Sequence, residues 1–286
     1  MSEAVTQLAH AKANLLLRVL AREADGYHNL ETLFCRLELA DRLTAERREG
    51  RGVTLEISGA ETGPMENNLA VRAAESVLAS IRTPFAVQLT LEKRIPVGAG
   101  LGGGSADAAA ALRAVNELAH QAIPRAELYQ LAARLGADVP FCLGDASLAL
   151  AWGHGERMLG LPSLPSAPVL LLTPPVAVRT AEAYAWLDEA RSTAPRRGAL
   201  ALNLEALAAW SDLARMAGND FESVIFGRLP AVRAAFEALA GTGPLLCRMT
   251  GSGSTLVAVY RSEKDRDDAR MALGKKHGTV TATRTL

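Results

Sequence analysis

The sequence predicts an α+β protein, and three observations carry that prediction. Segments of apolar/polar alternation, as half-buried strands show, are interspersed with segments of helical spacing. The strands read as antiparallel and mix with helices in both halves of the chain. With 286 residues, 49% of them hydrophobic and 22% charged, the chain has ordinary globular usage and enough length for two domains sharing an interface.

Taken in order, Lys12–Leu20 is apolar and reads as extended, and Asp25-Gly26-Tyr27 then supplies a turn signal. Leu30–Leu39 and Val53–Ser58 alternate as strands do. Asn68–Ile81 has helical spacing through Leu69, Ala73, Val77 and Ile81. Phe85–Leu91 places Phe85, Val87, Leu89 and Leu91 on one face. A glycine-rich loop follows, then an Ala-rich helix from about Ser105 to His120 and a helix over Glu127–Leu135. That second helix ends at Gly136, where a left-handed cap suits glycine. Composition shifts to Gly, Pro and Ser around Gly153–Pro168, which places a domain boundary there: residues 1–155 and 156–286. Beyond it come a strand at Val169–Leu172, a helix at Thr180–Ala190 and a polar mobile loop at Ser192–Gly198. Two helices (Leu202–Ala217, Pro230–Ala240), strands at Leu245–Met249 and Thr255–Tyr260 around a second Gly/Ser loop, and a charged helix over 263–275 complete the reading.

Lys and Arg total 31 and Asp and Glu total 31, so no global field favours nucleic acid or an anionic membrane, and neither partner is expected. An anionic ligand must be held by a local site. Cys35, Cys142 and Cys247 are far apart and form no metal-ligand spacing, so each reads as a small buried hydrophobe. No apolar stretch approaches the roughly 18 residues that would span a bilayer. The run Leu15-Leu16-Leu17 stands among Lys12, Arg18 and Arg22 and lacks the apolar centre of a signal peptide, so the cytoplasm is the expected location.

The chemistry concentrates in Pro96-Val97-Gly98-Ala99-Gly100-Leu101-Gly102-Gly103-Gly104-Ser105. Glycine permits positive φ and close approach of backbone to a ligand. Successive N–H groups then converge, and the following helix adds the positive end of its dipole, so phosphate is the natural guest. Gly98-x-Gly100-x-x-Gly103 fits the dinucleotide fingerprint, but the acidic strand end expected about 20 residues on falls near His120–Glu127, between two helices. Gly98 to Ser105 has the spacing of a Walker A loop, with Gly104 where that motif needs lysine. No His-Arg-Asp or Asp-Phe-Gly element of a protein kinase occurs.

The loop, a Pro-bounded run opening a helix with Ser105 as its first hydroxyl, resembles the nucleotide loop of the GHMP kinase family. That resemblance implies ATP, with its phosphates surrounded by the backbone of Pro96 to Ala106 and with Asn68 near the nucleotide. It also implies a two-domain fold: an N-terminal domain like the second domain of ribosomal protein S5, a ferredoxin-like C-terminal domain, and a site in the cleft between them. Ser105 reads as a helix cap, a phosphate–metal contact, or both, and Asp107 as a first-turn residue complementing the helix dipole.

Further segments resemble one branch of that family, whose acceptor is 4-diphosphocytidyl-2-C-methyl-D-erythritol. They are Ala11-Lys12-Ala13-Asn14-Leu15, Ala24-Asp25-Gly26-Tyr27-His28, Glu31-Thr32-Leu33-Phe34, Leu135-Gly136-Ala137-Asp138-Val139-Pro140-Phe141 and Met249-Thr250-Gly251-Ser252-Gly253-Ser254. By resemblance, Asp138 is the general base, Lys12 stands beside it, and Asp138 and Asn14 hold the methylerythritol. Tyr27 and His28 line the cytidine pocket, and Tyr184, after Thr180, is a second stacking aromatic. Gly251 and Gly253 let backbone approach the substrate phosphates.

Phosphoryl transfer needs an in-line hydroxyl, a partner for its proton and cations against the phosphate charge, which these residue types supply. The implied reaction moves the γ-phosphoryl of ATP to the acceptor's 2-hydroxyl, with Mg²⁺ held largely by phosphates and water. Bland readings stand beside these: a turn or capping role for Asp138, a solvated Lys12, an N-cap at Asn68, a core aromatic at Tyr184 and a tight turn at Gly251–Gly253. A homoserine- or mevalonate-type GHMP kinase and an inactive nucleotide-binding regulator are the alternatives. A pyrimidine pocket argues against the former, and Lys12 with Asp138 against the latter.

Overall fold

The structure is a computed structural model that describes residues 3–23, 26, 28–60, 63–191, 207 and 209–286. The loop expected at Ser192–Gly198 and the first part of the helix expected from Leu202 lie outside the described residues, as do Asp25 and Tyr27. The chain forms two compact units that do not follow chain order. One comprises Met1–Ala11, Leu39–Val97 and Gly102–Asp145, and the other Lys12–Glu38, Gly98–Leu101 and Ala146–Leu286.

The first unit takes the beginning of β1 (Ala4–Arg22) and the end of β2 (His28–Arg48). Here β2 lies antiparallel to β4 (Ala86–Glu92), with Arg42 opposite Glu92 and Arg48 opposite Ala86. On the other side of β4, β3 (Gly52–Ser58) runs parallel to it, from the Gly52–Ala86 pair to the Ser58–Glu92 pair. A parallel pair needs a crossover, which α1 (Leu69–Ser80) provides. Val87, Leu89 and Leu91 alternate inward from β4 as the period of two requires.

Helix α2 (Gly103–Leu118) packs on α1 through small residues: Ala70, Ala73 and Ala74 on one helix, Ala106 and the run Ala108–Ala111 on the other are buried. Alanine lets the two helices approach closely, so added volume has nowhere to go. Ala109→Leu is expected to cost about 1–3 kcal/mol, read as a lower denaturant midpoint at unchanged slope. Helices α3 (Arg125–Leu135) and α4 (Val139–Leu143) follow. Gly136 ends α3 at φ 168°, extended backbone open to any residue, so the left-handed cap expected there is absent.

In the second unit, strands β11 (Thr279–Arg284), β7 (Pro168–Thr173), β10 (Leu256–Val259) and β9 (Leu246–Met249) form an antiparallel sheet in that order. Leu170, Leu172, Leu256, Ala258 and Met249 enter a core with residues of α5 (Thr180–Arg191), α7 (Phe221–Arg228), α8 (Pro230–Ala240) and α9 (Glu263–Leu273), among them Leu187, Phe221, Ile225, Val232, Leu239 and Leu273. Helix α6 (Trp210–Met216) precedes β8 (Gly218–Asn219), which pairs with β1 in parallel at Leu16 and Leu17. The opening of β2, Leu30–Cys35, pairs with β5 (Leu148–Gly153), and β5 pairs in turn with β6 (Arg157–Leu161).

The α+β expectation holds, and most expected elements lie within a few residues of the observed ones. Strand β6 falls inside the Gly/Pro/Ser stretch that composition alone reads as a boundary. Among the described residues no helix is long and apolar enough to cross a membrane.

Candidate active site

The glycine loop is built by three positive-φ residues at alternate positions: Gly98 (69°), Gly100 (75°) and Gly102 (69°). That alternation winds Gly98–Leu101 and delivers the chain to α2, whose N-cap is Gly102 and which starts at Gly103, two residues before the expected Ser105. Gly102 contributes no side-chain cap, so Ser105 sits inside the first turn instead of capping the helix. Pro96 is half-buried, Val97 and Gly98 are exposed, and Ala99 and Leu101 are buried. Gly103 and Gly104 bring backbone N–H groups to the open end of a 16-residue helix, the arrangement that holds an anion. The side chain of Asn68 caps α1, accepting from the N–H of Ala70 at 2.9 Å.

Asp107 departs from expectation. It lies in the second turn, only 3% exposed, and accepts from the Lys93 ammonium at 2.7 Å. The same ammonium bonds to Asp41, which is fully buried. Burial pushes the Asp107 carboxyl up to about 7 against the pull of Lys93, with Asp41 adding to the rise. This cluster had no sequence signal, because Asp41, Lys93 and Asp107 are spread over 67 positions and each reads alone as a surface charge.

In the second unit, Lys12 and Asn14 are each 4% exposed and lie on the same face of β1. The Lys12 ammonium donates to Asn14 Oδ1 at 2.7 Å and lies over the Phe34 ring, 5.3 Å from its centroid. Lys12 is therefore no solvated strand-start lysine. Thr32 Oγ1 donates to the Leu16 carbonyl and accepts from Asn14 Nδ2, both at 2.7 Å. That pairing orients the amide so that its oxygen meets Lys12, a role for Thr32 the sequence reading missed. The backbone N–H of Lys12 donates to the carbonyl of Leu101 at 2.9 Å, so β1 and the glycine loop are joined at this residue.

Gly251 (φ 58°) and Gly253 (φ 91°) form the turn between antiparallel β9 and β10. The tight-turn geometry is therefore present, and the turn also reaches the glycine loop. Thr250, fully buried, accepts from the N–H of Asn14 at 2.9 Å and donates to the Gly100 carbonyl at 3.3 Å. A Cβ on Gly100 would stand 2.6 Å from the Thr250 oxygen. Asn219, also missed from sequence, holds the turn by donating to the carbonyls of Met249 (2.7 Å) and Gly251 (2.8 Å).

His28 opens β2, with Nε2 at 2.7 Å from Asp188 Oδ1. Its ring stacks on Tyr184, with centroids 4.8 Å apart and planes 24° apart, and Tyr184 meets Phe221 edge-on at 5.0 Å. Tyr184 thus meets Phe221 of the core at one edge and His28 at its face. Thr180 lies 3.1 Å from the Ser252 hydroxyl. Tyr27 lies outside the described residues.

Asp138, in the first unit, occupies the N-cap position of α4 but its side chain makes no cap bond; φ −83° and ψ −17° are already helical. Arg113 of α2 donates to the carbonyls of Cys142 (2.9 Å) and Leu143 (3.2 Å), closing the far end of α4 and so fixing the short helix that carries Asp138. All three cysteines are buried, and burial pushes the Cys35 and Cys247 thiols up to about 12, which suits packing. Among the described residues no group of three His, Cys, Asp or Glu side chains is placed to hold a metal.

The family model for the GHMP kinases N terminal domain matches residues 68–145, and that for the GHMP kinases C terminal matches residues 201–279. A 4-diphosphocytidyl-2-C-methyl-D-erythritol kinase of Parvibaculum lavamentivorans is 39% identical over 97% of this chain and 96% of its own. A solved 4-(cytidine 5'-diphospho)-2C-methyl-D-erythritol kinase superposes with TM-score 0.83 at 35% identity, covering 98% of this chain and 99% of that one. A homoserine kinase from Cytophaga hutchinsonii has TM-score 0.73 at 20% identity, over 100% of this chain and 95% of its own, a likeness of fold alone. With matches in both halves and a near-full-length relative, the chain belongs to the GHMP kinase family.

Proposed function

We propose that the protein transfers the γ-phosphoryl group of ATP to the 2-hydroxyl of 4-diphosphocytidyl-2-C-methyl-D-erythritol, giving the 2-phosphate, in non-mevalonate isoprenoid precursor biosynthesis. The observation that carries the kinase reading is the joint between Lys12 and the glycine loop. A buried cation, oriented by Asn14, sits on the strand position whose N–H bonds the loop carbonyl of Leu101. Such a cation offsets charge on a phosphoryl group in transfer. The acceptor is assigned by the relatives named above, and the His28–Tyr184 pair offers an aromatic surface of the kind a pyrimidine stacks on.

In this reading the amides of residues 98–105 bind the triphosphate, with Pro96, Val97 and Ala106 flanking it and Asn68 near the nucleotide. Asp138 accepts the proton of the 2-hydroxyl as the new O–P bond forms and the bond to ADP breaks. Lys12 faces the charge that develops, and Asp138 and Asn14 orient the methylerythritol. Tyr27, His28, Thr180 and Tyr184 receive the cytidine end, and Gly251 and Gly253 the diphosphate. Loop amides and the Ser105 hydroxyl suit phosphate oxygens, and Mg²⁺ bound with ATP would be ligated mainly by phosphate and water and would neutralise phosphate charge. We place the family's N- and C-terminal domains at 1–155 and 156–286, and the enzyme in the cytoplasm.

The test is a coupled assay of purified protein with ATP and Mg²⁺ against this acceptor, homoserine and mevalonate. Phosphorylation of the cytidine compound alone is expected; turnover of only the other two overturns the assignment. Tyr184→Ala is expected to raise KM for the acceptor about tenfold, the scale of one lost base–aromatic stack, with KM for ATP within twofold. An unchanged acceptor KM returns Tyr184 to the core.

A further inference from the structure

The glycine loop has two stems, the strand end that feeds it and the helix that leaves it, and one buried side chain ties both. Lys93 follows β4 directly and is 8% exposed. Its ammonium bonds Asp41 on β2 and Asp107 on α2. The other oxygen of Asp41 accepts from the backbone N–H groups of Arg94 (2.5 Å) and Ile95 (2.8 Å), the last two residues before Pro96. Asp41 therefore pins the incoming stem, Asp107 belongs to the outgoing one, and Lys93 bridges them.

The backbone is shaped to this bridge. A Cβ on Gly103 would lie 3.1 Å from Ile95 Cγ2 and 3.4 Å from Lys93 Nζ, so a glycine lets the start of α2 come down onto the cluster. The N–H of Lys93 donates to the carbonyl of Ser58 at 2.8 Å, and a Cβ on Gly59 would overlap the Lys93 carbonyl. A loop with five glycines in seven positions loses much conformational freedom when ordered, and fixed stems lower that cost at the moment of binding.

We propose that Asp41, Lys93 and Asp107 form a buried clamp that holds the two stems of the glycine loop in register for the triphosphate, making all three positioning residues for nucleotide binding.

A core that needed only stability would be served as well by apolar groups, since an ion cluster this deep gains little over well-packed hydrophobes. One ammonium shared by two carboxylates leaves Asp107 Oδ1 buried without a partner, and burial pushes that carboxyl up. The arrangement is thus poor as packing and specific as geometry. It rests on the ATP reading of the loop given above.

The experiment compares KM for ATP and KM for 4-diphosphocytidyl-2-C-methyl-D-erythritol in wild type, Lys93→Met, Asp107→Ala and Asp107→Asn. Leu118→Ala, a core truncation in α2 away from the loop, controls for lost stability. Lys93→Met is expected to raise KM for ATP about tenfold or more, with the acceptor KM within twofold. Asp107→Asn, whose amide oxygen still accepts from Lys93, is expected to rise less than Asp107→Ala. If Lys93→Met does not fold, the Asp107 pair decides. The clamp is overturned by an ATP KM within twofold of wild type, by equal rises for both substrates, or by an equal rise in Leu118→Ala. A wild type that binds no ATP by calorimetry defeats the ATP reading itself, whereas ATP binding unaffected by these variants defeats the clamp alone.

Discussion

Asp138→Asn is expected to lower kcat by about 10²–10⁴-fold while ATP binds as before, because the amide has the shape of the carboxylate but cannot take up the hydroxyl's proton. The structure makes this substitution informative. The Asp138 side chain makes no cap bond to α4, while its carbonyl accepts from the N–H of Cys142 at 3.2 Å and so belongs to that helix. Pro140 near the start of that helix and Arg113 at its far end both remain in the variant. Thermal unfolding of the variant measures any change in stability separately from the loss of rate. Steady-state kinetics with calorimetric ATP titration separates the outcomes: near-normal kcat removes Asp138 as the base.

Gly100→Ala is expected to damage both folding and nucleotide binding. Its φ of 75° suits glycine and strains alanine by about 1 kcal/mol. The added methyl would also stand 2.6 Å from the backbone oxygen of Thr250, and backbone cannot swing aside as a flexible side chain can. Thr250 is tied to Asn14, and Asn14 to Lys12, so relief must displace β1 or the β9–β10 turn. A total loss of about 2–4 kcal/mol follows, with a raised KM for ATP. Thermal unfolding and kinetics read both; a variant with wild-type melting temperature and KM would show that the two turns do not need this contact. Gly98→Ala shares the positive φ but meets nothing within 4 Å, so it isolates the strain from the clash.

What the sequence disclosed is what local chemistry encodes. Alternation exposed β4, helical spacing exposed α1, and five crowded glycines exposed the loop, since each signal lies within a dozen residues. Resemblance added Lys12, Asn14, His28 and Asp138, and the structure places each where a specific partner or helix holds it. The contacts that hold them were illegible. Thr32, Thr250 and Asn219 act through hydrogen bonds across up to 236 positions, and a lone Thr or Asn carries no pattern. Asp107 was misread because a carboxylate near a helix start ordinarily faces the dipole, and only the fold brings Lys93 beneath it. Strand β2 runs nine residues past the alternation of Leu30–Leu39, because its opening pairs with β5 and its end with β4.

The interleaving of the two compact units also sets an order of events during synthesis. The last residue of the first unit is Asp145, so that unit has its whole sequence once the ribosome has passed the middle of the message. Leu16 and Leu17 of β1 must wait for Gly218 and Asn219, about 200 residues downstream. At about 5–20 residues per second that is a delay of roughly 10–40 s, during which an apolar strand carrying Lys12 and Asn14 is without its final neighbours. The nascent chain therefore spends that interval with β1 still lacking its pairing with β8.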